Sequence, residues 1–331
     1  MSSGFTEMRT RDALNRALRE ELANDPSVIV MGEDIGAFGG AFAVTKGLLD
    51  EFGPERIMDT PISENSMMGV GIGAAIGGLK PVTEMMTINF ALLGLDQVIN
   101  SAAHARYMFG GQTQVPWTLR MPQGAGHQLG PTHSHSWEAM YAHVPGLLVA
   151  VPATPSDAYG MLKTAIREPN PVVFIEQESL YGRSGPVPDQ ETLVPFGQAR
   201  IAREGSDITL WGCSRGVEWA LQAAELLEAE GVSAEVIDPR TLRPLDVETV
   251  LQSVAKTNLL LTVEEGWPRF GVGAEIIAQV TRHAFDDLDG PPMRITAADV
   301  PMPYAKNLEQ LAQPSAELVA ERALELVQRR R

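Results

Sequence analysis

Two glycine-flanked loops of this sequence carry the side chains best suited to acid–base chemistry. Glu64 stands in the polar turn 63–66, directly before a segment rich in glycine and alanine. His127, His133 and His135 stand close together in the loop GAGHQLGPTHSHS. Carboxyl and imidazole groups both serve as general acids and bases in proteins, and histidine titrates near neutral pH. We therefore expect proton transfer to depend on one or both of these loops.

The turn that carries Glu64 is predicted to join a short strand, Arg56–Thr60, to a helix, Asn65–Gly77. Glycine costs up to about 1 kcal/mol per helical position relative to alanine. A glycine-rich helix therefore indicates close approach of another backbone or a ligand. The next predicted strand, Pro81–Thr87, leads to Phe90 near its carboxyl end, where ligands bind in a parallel α/β sheet. The pattern predicts a cleft that contains Glu64 and Phe90.

The Glu64 turn has two other interpretations. In the first, a buried helix packs tightly on the sheet, and Glu64 is a solvated acid favoured by the helix dipole. In the second, Gly69, Gly71 and Gly73 belong to a dinucleotide-binding G-x-G sequence. Such a sequence must occupy the turn directly after a strand. Here polar residues fill that turn and the glycines come later, so the context argues against the second interpretation and leaves the first open.

The histidine loop, Pro122–Ser136, also has alternatives. His133 and His135 could chelate a metal ion, but a closed site needs more ligands, and the sequence has neither a cysteine pair nor HExxH. The segment could also be a surface loop that happens to be rich in histidine. Its position after a predicted strand, Val115–Met121, favours chemistry, because ligands bind at the carboxyl ends of parallel strands. The remaining histidines are interpreted as structural: His104, His143 and His283.

Composition argues against several classes of function. The 331 residues are 44% hydrophobic and 21% charged, a normal globular balance. The formal net charge of −16 argues against a general nucleic-acid surface, because phosphate binding needs clustered cations. The N-terminal segment has no apolar signal core, and no apolar run is long enough to span a membrane. Cys213 is the single cysteine, so no internal disulfide can form, and we expect a reducing, cytoplasmic location.

Helices alternate with short apolar strands along most of the chain. Strands are predicted, among others, at 28–32, 208–212 and 259–263. Strands separated by helices indicate parallel sheets of the α/β class. One long helix is predicted over Ala91–Phe109, where apolar residues recur at helical spacing. The proline-rich segment Tyr181–Pro195 lacks periodicity and is interpreted as a linker. We therefore predict two doubly wound domains, 1–185 and 205–331, joined by residues 186–204.

A series of segments matches a known family in order and spacing. The segments are VIVMGEDIG (28–36), DTPISEN (59–65), GIGAAIGGLKP (71–81), MTINFALLGLDQVINSAA (86–103), THSHS (132–136), HVPGLLVAVPATPSDAYGML (143–162), AIREPNPVVFIE (165–176), 236–245, TVEEGWPRFGVGAEI (262–276) and ADVPMPYAKNLE (298–309). Together they resemble the β subunits of the thiamine-diphosphate-dependent E1 components of 2-oxoacid dehydrogenase complexes, a transketolase-like family. The resemblance covers nearly the whole chain and is greatest to the pyruvate dehydrogenase members.

The resemblance implies a transketolase-type pyrimidine-binding domain followed by a transketolase C-terminal domain. Glu64 matches the glutamate that hydrogen-bonds N1′ of the cofactor's aminopyrimidine, and Phe90 matches the aromatic residue that packs on that ring. His133 matches the active-site histidine and is expected to assist acyl transfer to a lipoyl arm. A carboxyl facing N1′ favours the imino form that takes the C2 proton, and the cofactor then serves as electron sink. Leu93 stands where some relatives carry glutamine, so we assign it no role.

The resemblance also implies cations. The turn 165–170 resembles a potassium site built from main-chain carbonyls, with Ala165, Glu168 and Asn170 as candidate ligands. Glu168 stands where aspartate is common, which matters little if only carbonyls bind. Thiamine enzymes hold diphosphate and Mg²⁺ with Gly-Asp-Gly, which this sequence lacks. An E1 α subunit is therefore expected to supply that half of the site in an α2β2 heterotetramer.

The activity that the resemblance implies is oxidative decarboxylation of pyruvate, on the route from glycolysis to acetyl-CoA. The acetyl group would pass to the lipoyl group of the acyltransferase (E2) core, and residues 205–331 are expected to dock that core. Two alternatives stay open. One is the β subunit of an acetoin or branched-chain 2-oxoacid dehydrogenase E1. The other is a non-catalytic scaffold, against which the presence of Glu64 and His133 speaks.

Overall fold

The computed structural model describes Gly4–Arg330, and these residues form two compact units. Unit 1 consists of residues 4–123 and 140–196, and unit 2 consists of residues 124–139 and 197–330. The division after Phe196 falls inside the segment 186–204 that we interpret as a linker; the domain limits given above stay a prediction. The histidine loop belongs to unit 2 by its contacts, although the strand before it belongs to unit 1.

Unit 1 alternates strands and helices. Its strands in the described chain are β1 (Phe5–Arg9), β2 (Val28–Gly32), β3 (Ile57–Asp59), β4 (Lys80–Glu84), β5 (Thr118–Gln123), β6 (Leu148–Ala150), β7 (Val172–Gln177) and β8 (Ser184–Pro188). Its α-helices are α1 (Thr10–Asn24), α2 (Leu48–Phe52), α3 (Glu64–Ile76), α4 (Ile88–Ala91), α5 (His104–Met108), α6 (Glu138–Ala142, which begins in unit 2) and α7 (Pro155–Arg167). The 3-10 helices are Leu92–Gly94 and Glu178–Leu180, and a π-helix covers Gln97–Ala103.

The sheet of unit 1 is parallel and has helices on both faces. The strands pair in the order β6-β7-β5-β4-β2-β3, and each of these pairs is parallel. Successive side chains of a strand point to opposite faces. Val82 of β4 therefore faces the apolar core that includes residues of α1 and α7, and Thr83 faces α3. This arrangement brings the carboxyl ends of β2, β3 and β4 to one edge of the sheet.

The segment Tyr181–Pro195 is more regular than a linker. Its residues Ser184–Pro188 form β8, which pairs antiparallel with β1 from the start of the chain. The register places Thr6 opposite Val187, and Val187 is fully buried. Part of the segment interpreted as a linker is therefore a strand, which is ordered by a partner almost the full length of unit 1 away in sequence.

Unit 2 is a second α/β unit. Its strands in the described residues are β9 (Arg200–Arg203), β10 (Ile208–Gly212), β11 (Ala234–Asp238), β12 (Thr241–Arg243), β13 (Leu260–Val263) and β14 (Met293–Ile295). Its helices are α8 (Arg215–Ala229), α9 (Val247–Thr257), α10 (Val272–His283), α11 (Lys306–Ala312) and α12 (Ala316–Arg329), with a 3-10 helix at Phe285–Asp287.

The main sheet of unit 2 has the order β14-β13-β10-β11-β9. Its pairs are parallel except for β9, which runs antiparallel to β11 and lies inside the predicted linker 186–204. The prediction of two α/β domains with parallel sheets is confirmed. Within Gly4–Arg330 no helix is long and apolar enough to cross a membrane.

The helix predicted over Ala91–Phe109 is interrupted. After α4 the chain forms a 3-10 turn and then a π-helix before α5 begins. Gly94, in the 3-10 turn, lies against α3, and a Cβ there would be 2.3 Å from Sδ of Met68. The prediction of one regular helix is wrong, because apolar periodicity does not distinguish α-helical from 3-10 or π hydrogen bonding.

The glycines of α3 differ in what surrounds them. A Cβ on Gly71 would lie 2.6 Å from Oγ1 of Thr83 and 2.9 Å from Nε1 of Trp117, two atoms that are hydrogen-bonded at 2.8 Å. A Cβ on Gly73 would meet nothing within 4 Å. Gly71 is therefore required by packing on the sheet, as the glycine-rich pattern predicts for at least part of this helix.

We expect Gly71→Ala to destabilise the chain. Overpacking a core costs typically 1–3 kcal/mol, which outweighs the gain of up to about 1 kcal/mol in helix propensity. The matched control is Gly73→Ala on the same helix, which should raise stability by up to about 1 kcal/mol because only propensity changes. Urea unfolding of the purified chain measures both changes. Equal shifts of the two midpoints in the same direction would contradict the packing role of Gly71.

Candidate active site

Glu64 begins α3 at the carboxyl edge of the unit 1 sheet. The preceding Ser63 makes no side-chain capping bond, so the carboxyl occupies the positive end of the helix dipole. Glu64 is only 7% exposed. The interpretation of Glu64 as a solvated acid is therefore wrong. A buried carboxyl at this edge is placed to bind a ligand.

Glu33 is a second buried carboxyl beside Glu64. It follows β2 directly and is 7% exposed. Burial raises the pKa of the Glu33 carboxyl above its usual value, and the negative charges of Glu64 and Asp34 raise it further. Its Oε1 atom is buried and has no hydrogen-bond partner among residues 4–330. Glu33 was not selected from the sequence, although its position at the carboxyl end of a parallel strand could have indicated a functional residue.

Phe90 lies in α4, half-buried. The helix begins after Thr87, whose hydroxyl oxygen accepts the N–H of Asn89 at 3.5 Å. The 3-10 turn that follows α4 packs on the first turn of α3, where a Cβ on Gly94 would lie 3.2 Å from the carbonyl oxygen of Glu64. The structure therefore brings the segment of Phe90 to the same end of α3 as Glu64, as the sequence predicts.

A buried ion cluster supports the loop that follows β2. Arg120 of β5 is 1% exposed and pairs with Glu84 of β4 and Glu176 of β7. The hydroxyl of Tyr181 donates to Glu176. Burial alone would lower the pKa of the Arg120 guanidinium, but Glu176 and Glu84 raise it above its ordinary value. A Cβ on Gly40 would lie 2.7 Å from Oε1 of Glu84, so the loop rests directly on this cluster.

His133 projects from the histidine loop of unit 2 as an exposed side chain. Its backbone N–H donates to the Gly130 carbonyl at 3.3 Å. Its Nδ1 lies 2.9 Å from the Thr132 hydroxyl oxygen. When that hydroxyl donates to Nδ1, the neutral ring carries its proton on Nε2. The Thr132 hydroxyl thus helps to orient the imidazole of His133.

His135 has a different environment from His133. Its ring stacks on Trp137 at 4.8 Å between centroids and meets the edge of Trp267 at 5.3 Å. Burial lowers the pKa of the His135 imidazole. A cavity of about 10 Å³, near the size of one water, lies beside it and is also lined by Ser134 and Glu265. His135 is therefore held as a packing group of the loop.

Comparison with known proteins identifies the family. Residues 6–184 match the pyrimidine-binding domain of transketolase, and residues 197–319 match the transketolase C-terminal domain. The β-1 subunit of the mitochondrial pyruvate dehydrogenase E1 component of Oryza sativa subsp. japonica is 52% identical over 320 residues, 96% of this chain and 86% of the relative. The corresponding β subunit of Rhizobium meliloti (strain 1021) is 51% identical over 319 residues, 95% of this chain and 69% of the relative. The chain belongs to the pyruvate dehydrogenase E1 β subunit family.

A solved structure gives the same fold for this E1 β chain. A split-gene transketolase, described as an inactive β4 tetramer, superposes with a TM-score of 0.80 and 23% sequence identity. The match covers 98% of this chain and 99% of the other. Both transketolase-type domains of the E1 β family are therefore present in the fold.

The carboxyl edge of unit 1 fits the aminopyrimidine expected of an E1 β subunit. An aminopyrimidine offers a basic ring nitrogen, an amino group and two flat faces. Glu64 and Glu33 present buried carboxyl oxygens, and Phe90 presents an aromatic ring. The unsatisfied Oε1 of Glu33 is the specific sign that a polar partner belongs here, because buried polar atoms in proteins are nearly always hydrogen-bonded.

The turn 165–170, where potassium is expected, contains hydrogen bonds of its own. Residues 4–330 contain no group of three or more His, Cys, Asp or Glu side chains arranged to hold a metal ion. Ala165, in the last turn of α7, accepts the N–H of Glu168 through its carbonyl at 3.3 Å. The Glu168 carboxylate accepts the side-chain N–H of Asn170 at 2.6 Å, so this carboxylate is engaged within the turn.

Proposed function

We propose that this chain is the catalytic β half of a pyruvate dehydrogenase E1. With an α subunit it would carry out thiamine-diphosphate-dependent oxidative decarboxylation of pyruvate and pass the acetyl group to a lipoyl group. The observation that carries the proposal is the pair of buried carboxyls, Glu64 and Glu33, beside the segment of Phe90, at the carboxyl edge of a pyrimidine-binding domain of this family.

The residues of unit 1 would bind the pyrimidine and manage its proton. Thiamine diphosphate, when bound, supplies the carbon nucleophile and the electron sink for decarboxylation. Glu64 would share a proton with the pyrimidine ring nitrogen, at a site from which burial excludes water. Glu33 is a second buried carboxyl close by, and burial together with the negative charges of Glu64 and Asp34 raises its pKa. Phe90 would cover one face of the ring and fix its orientation.

His133 would act in the second half of the reaction. An exposed imidazole is accessible to a lipoyl group carried on a flexible arm. The Nδ1 contact with the Thr132 hydroxyl helps to orient the ring, and the imidazole would give or take the proton that accompanies transfer to the dithiolane sulfur. His135, packed between two indole rings, would help to fix the shape of the loop and would not transfer a proton.

The missing parts of the site define the partners that we propose. The sequence lacks Gly-Asp-Gly, so an α subunit would hold the diphosphate and Mg²⁺ within an α2β2 heterotetramer. The outer face of α3 supports such a partner: Val70 is 60% exposed, Ile76 is 49% exposed, and Gly73 is open to space. Apolar and small side chains exposed together are typical of a protein contact.

Three further assignments belong to the proposal. Residues 205–331 would dock the lipoyl acyltransferase (E2) core, since the proposed catalytic residues precede them. The main-chain carbonyls of Ala165, Glu168 and Asn170 would bind potassium. The location would be cytoplasmic, because Cys213 is buried and has no second cysteine with which to form a disulfide.

We expect the chain, assembled with its α subunit, to turn over pyruvate in preference to acetoin and 3-methyl-2-oxobutanoate. The measurement is the rate of acyl-CoA formation in the reconstituted complex, with the product of each substrate quantified and the three substrates compared at equal concentration. A preference for acetoin or for the branched 2-oxo acid would replace pyruvate in the proposal and leave the cofactor chemistry unchanged.

The isolated chain is the control for this experiment. We expect it to show no decarboxylation and only weak binding of thiamine diphosphate, because it supplies one half of the cofactor site. Calorimetry with Mg²⁺ present measures that affinity. Micromolar binding by the isolated chain would contradict the shared site.

A further inference from the structure

The loop that carries His133 is closed at its base. The N–H of Gly124 donates to the carbonyl of His135 at 2.9 Å, so the two ends of the loop are joined by one hydrogen bond. The methyl group of Ala125 is fully buried in a small apolar cluster with Met302 and Ala312.

Two buried carboxylates hold the next residues of the loop. Glu309 of α11 accepts the backbone N–H of Gly126 at 3.2 Å and that of Gln128 at 2.9 Å. Glu265, which follows β13, accepts the N–H of Ala125 at 3.0 Å. Hydrogen bonds from amides to a carboxylate are stronger than those between neutral groups. Three amides within four residues thus converge on two carboxylates.

Burial and charge favour this arrangement over contact with water. Glu309 is 2% exposed and Glu265 is 6% exposed. Arg215 lies 3.9 Å from Glu265 and also donates to the carbonyl of Ala125 at 3.2 Å, so one cation faces the carboxylate and the loop together. A buried carboxylate without such donors would be costly. The amides of the loop and the carboxylates therefore stabilise each other.

The distal part of the loop contacts the ring of Tyr304. The ring of Tyr304 lies against Gly130, where a Cβ would be only 2.2 Å from the ring. Gly130 has a φ of +75°, in the left-handed region, and its carbonyl accepts the N–H of His133. His133 itself is exposed. The base of the loop, which Glu309 and Glu265 hold, therefore helps to set the position of His133.

We propose that Glu309 is a positioning residue for His133, with Glu265 as its neighbour in the same role. By holding residues 125–128, Glu309 sets the place from which the His133 imidazole meets the acyl group. This inference rests on the proposed function of His133 in acyl transfer. It makes the far C-terminal part of the chain a determinant of the transfer step, through backbone amides rather than through contact with substrate.

The first test measures attachment of the loop without reference to turnover. Deuterium uptake of peptides covering residues 122–130 is compared in the assembled enzyme for wild type, Glu309→Ala and Gln310→Ala. Gln310 is exposed on the same helix and serves as the matched control. We expect faster exchange only in Glu309→Ala, because two amides lose their acceptor. Unchanged exchange in Glu309→Ala would overturn the inference.

The second test separates positioning from a general loss of structure. In Glu309→Ala we expect acyl transfer to a lipoyl domain to fall at least about 10-fold, a part of the contribution of a placed proton donor. Decarboxylation with an artificial electron acceptor should change less than about 2-fold, since no group at the pyrimidine site is altered. Glu309→Gln retains an acceptor oxygen of the same reach and should recover most of the transfer rate.

The double variant His133→Ala/Glu309→Ala decides whether Glu309 acts through His133. If it does, the double variant transfers acyl groups no more slowly than His133→Ala alone, because the residues work as one unit. Losses that multiply would overturn the inference. A His133→Ala enzyme with the wild-type transfer rate would instead refute the proposed role of His133, and the exchange measurement would still decide whether Glu309 holds the loop.

Discussion

His133→Ala should reduce acyl transfer to the lipoyl domain by about 10²–10⁴-fold, the usual contribution of a placed general acid or base. The imidazole is exposed, and its Nδ1 is paired with the Thr132 hydroxyl at 2.9 Å, so alanine removes an oriented proton carrier. Decarboxylation should change far less, because the buried carboxyls of unit 1 are untouched. The measurement compares the complete reaction with an assay that uses an artificial electron acceptor.

The matched control for this prediction is His127→Ala. His127 is an exposed histidine of the same loop, so its removal tests whether loss of any loop imidazole has the effect. We expect both reactions of His127→Ala to stay near wild type. Equal losses of His133→Ala in both assays, traced to the decarboxylation step, would place His133 in the first half of the reaction instead.

The buried strands could be predicted closely from the sequence. Val28–Gly32 and Ile208–Gly212 are strands at the predicted residues, and every residue in them is buried. A strand covered on both faces is predominantly apolar, and glycine ends both runs, so composition marks them. Helix α3 begins one residue before its predicted start. Its start could be predicted closely because a polar turn marks it in the sequence.

Elements that depend on distant partners could not be predicted in this way. β8 is ordered by pairing with β1, and β9 by pairing with β11. Neither segment has a periodicity that indicates a strand. The break in the helix predicted over Ala91–Phe109 is of the same kind, since Gly94 meets α3 only in three dimensions. Local pattern contains no information about these contacts.

The candidate site shows the same distinction between features set by local sequence and features set by distant contacts. Residue type and position in the chain were enough to select Glu64 and the histidine loop, and the family resemblance singled out His133 within that loop. Other features depend on the three-dimensional fold. They are the burial of Glu33 beside Glu64, the packing of His135 between two indoles, and the hydrogen bonds that Glu309 accepts from the loop. Sequence therefore identifies groups that can do chemistry, and the fold determines which of them are buried, oriented or held in place.

Glu64→Gln should slow hydrogen–deuterium exchange at C2 of bound thiamine diphosphate by at least about 10²-fold, the lower end for acid–base groups. Glutamine keeps the size of the buried side chain and its hydrogen-bonding capacity, but its amide cannot transfer a proton to the pyrimidine nitrogen. Because volume is conserved in the buried site, folding and assembly with the α subunit should be unaffected. Exchange in the assembled enzyme is followed by rapid quench and NMR of the released cofactor.

The sizes of the expected effects distinguish proton transfer by Glu64 from the role of an acid that only stabilises the start of a helix. Loss of the charge at the N-terminus of α3 costs about 0.3–1 kcal/mol of stability. A 10²-fold slower exchange corresponds to about 2.7 kcal/mol in the barrier, a change that the dipole alone does not produce. Glu55→Gln, an exposed carboxyl of the same unit, is the control and should leave exchange unchanged. If Glu64→Gln exchanges C2 as fast as wild type while losing only stability, Glu64 is a structural acid and the proton must come from another group.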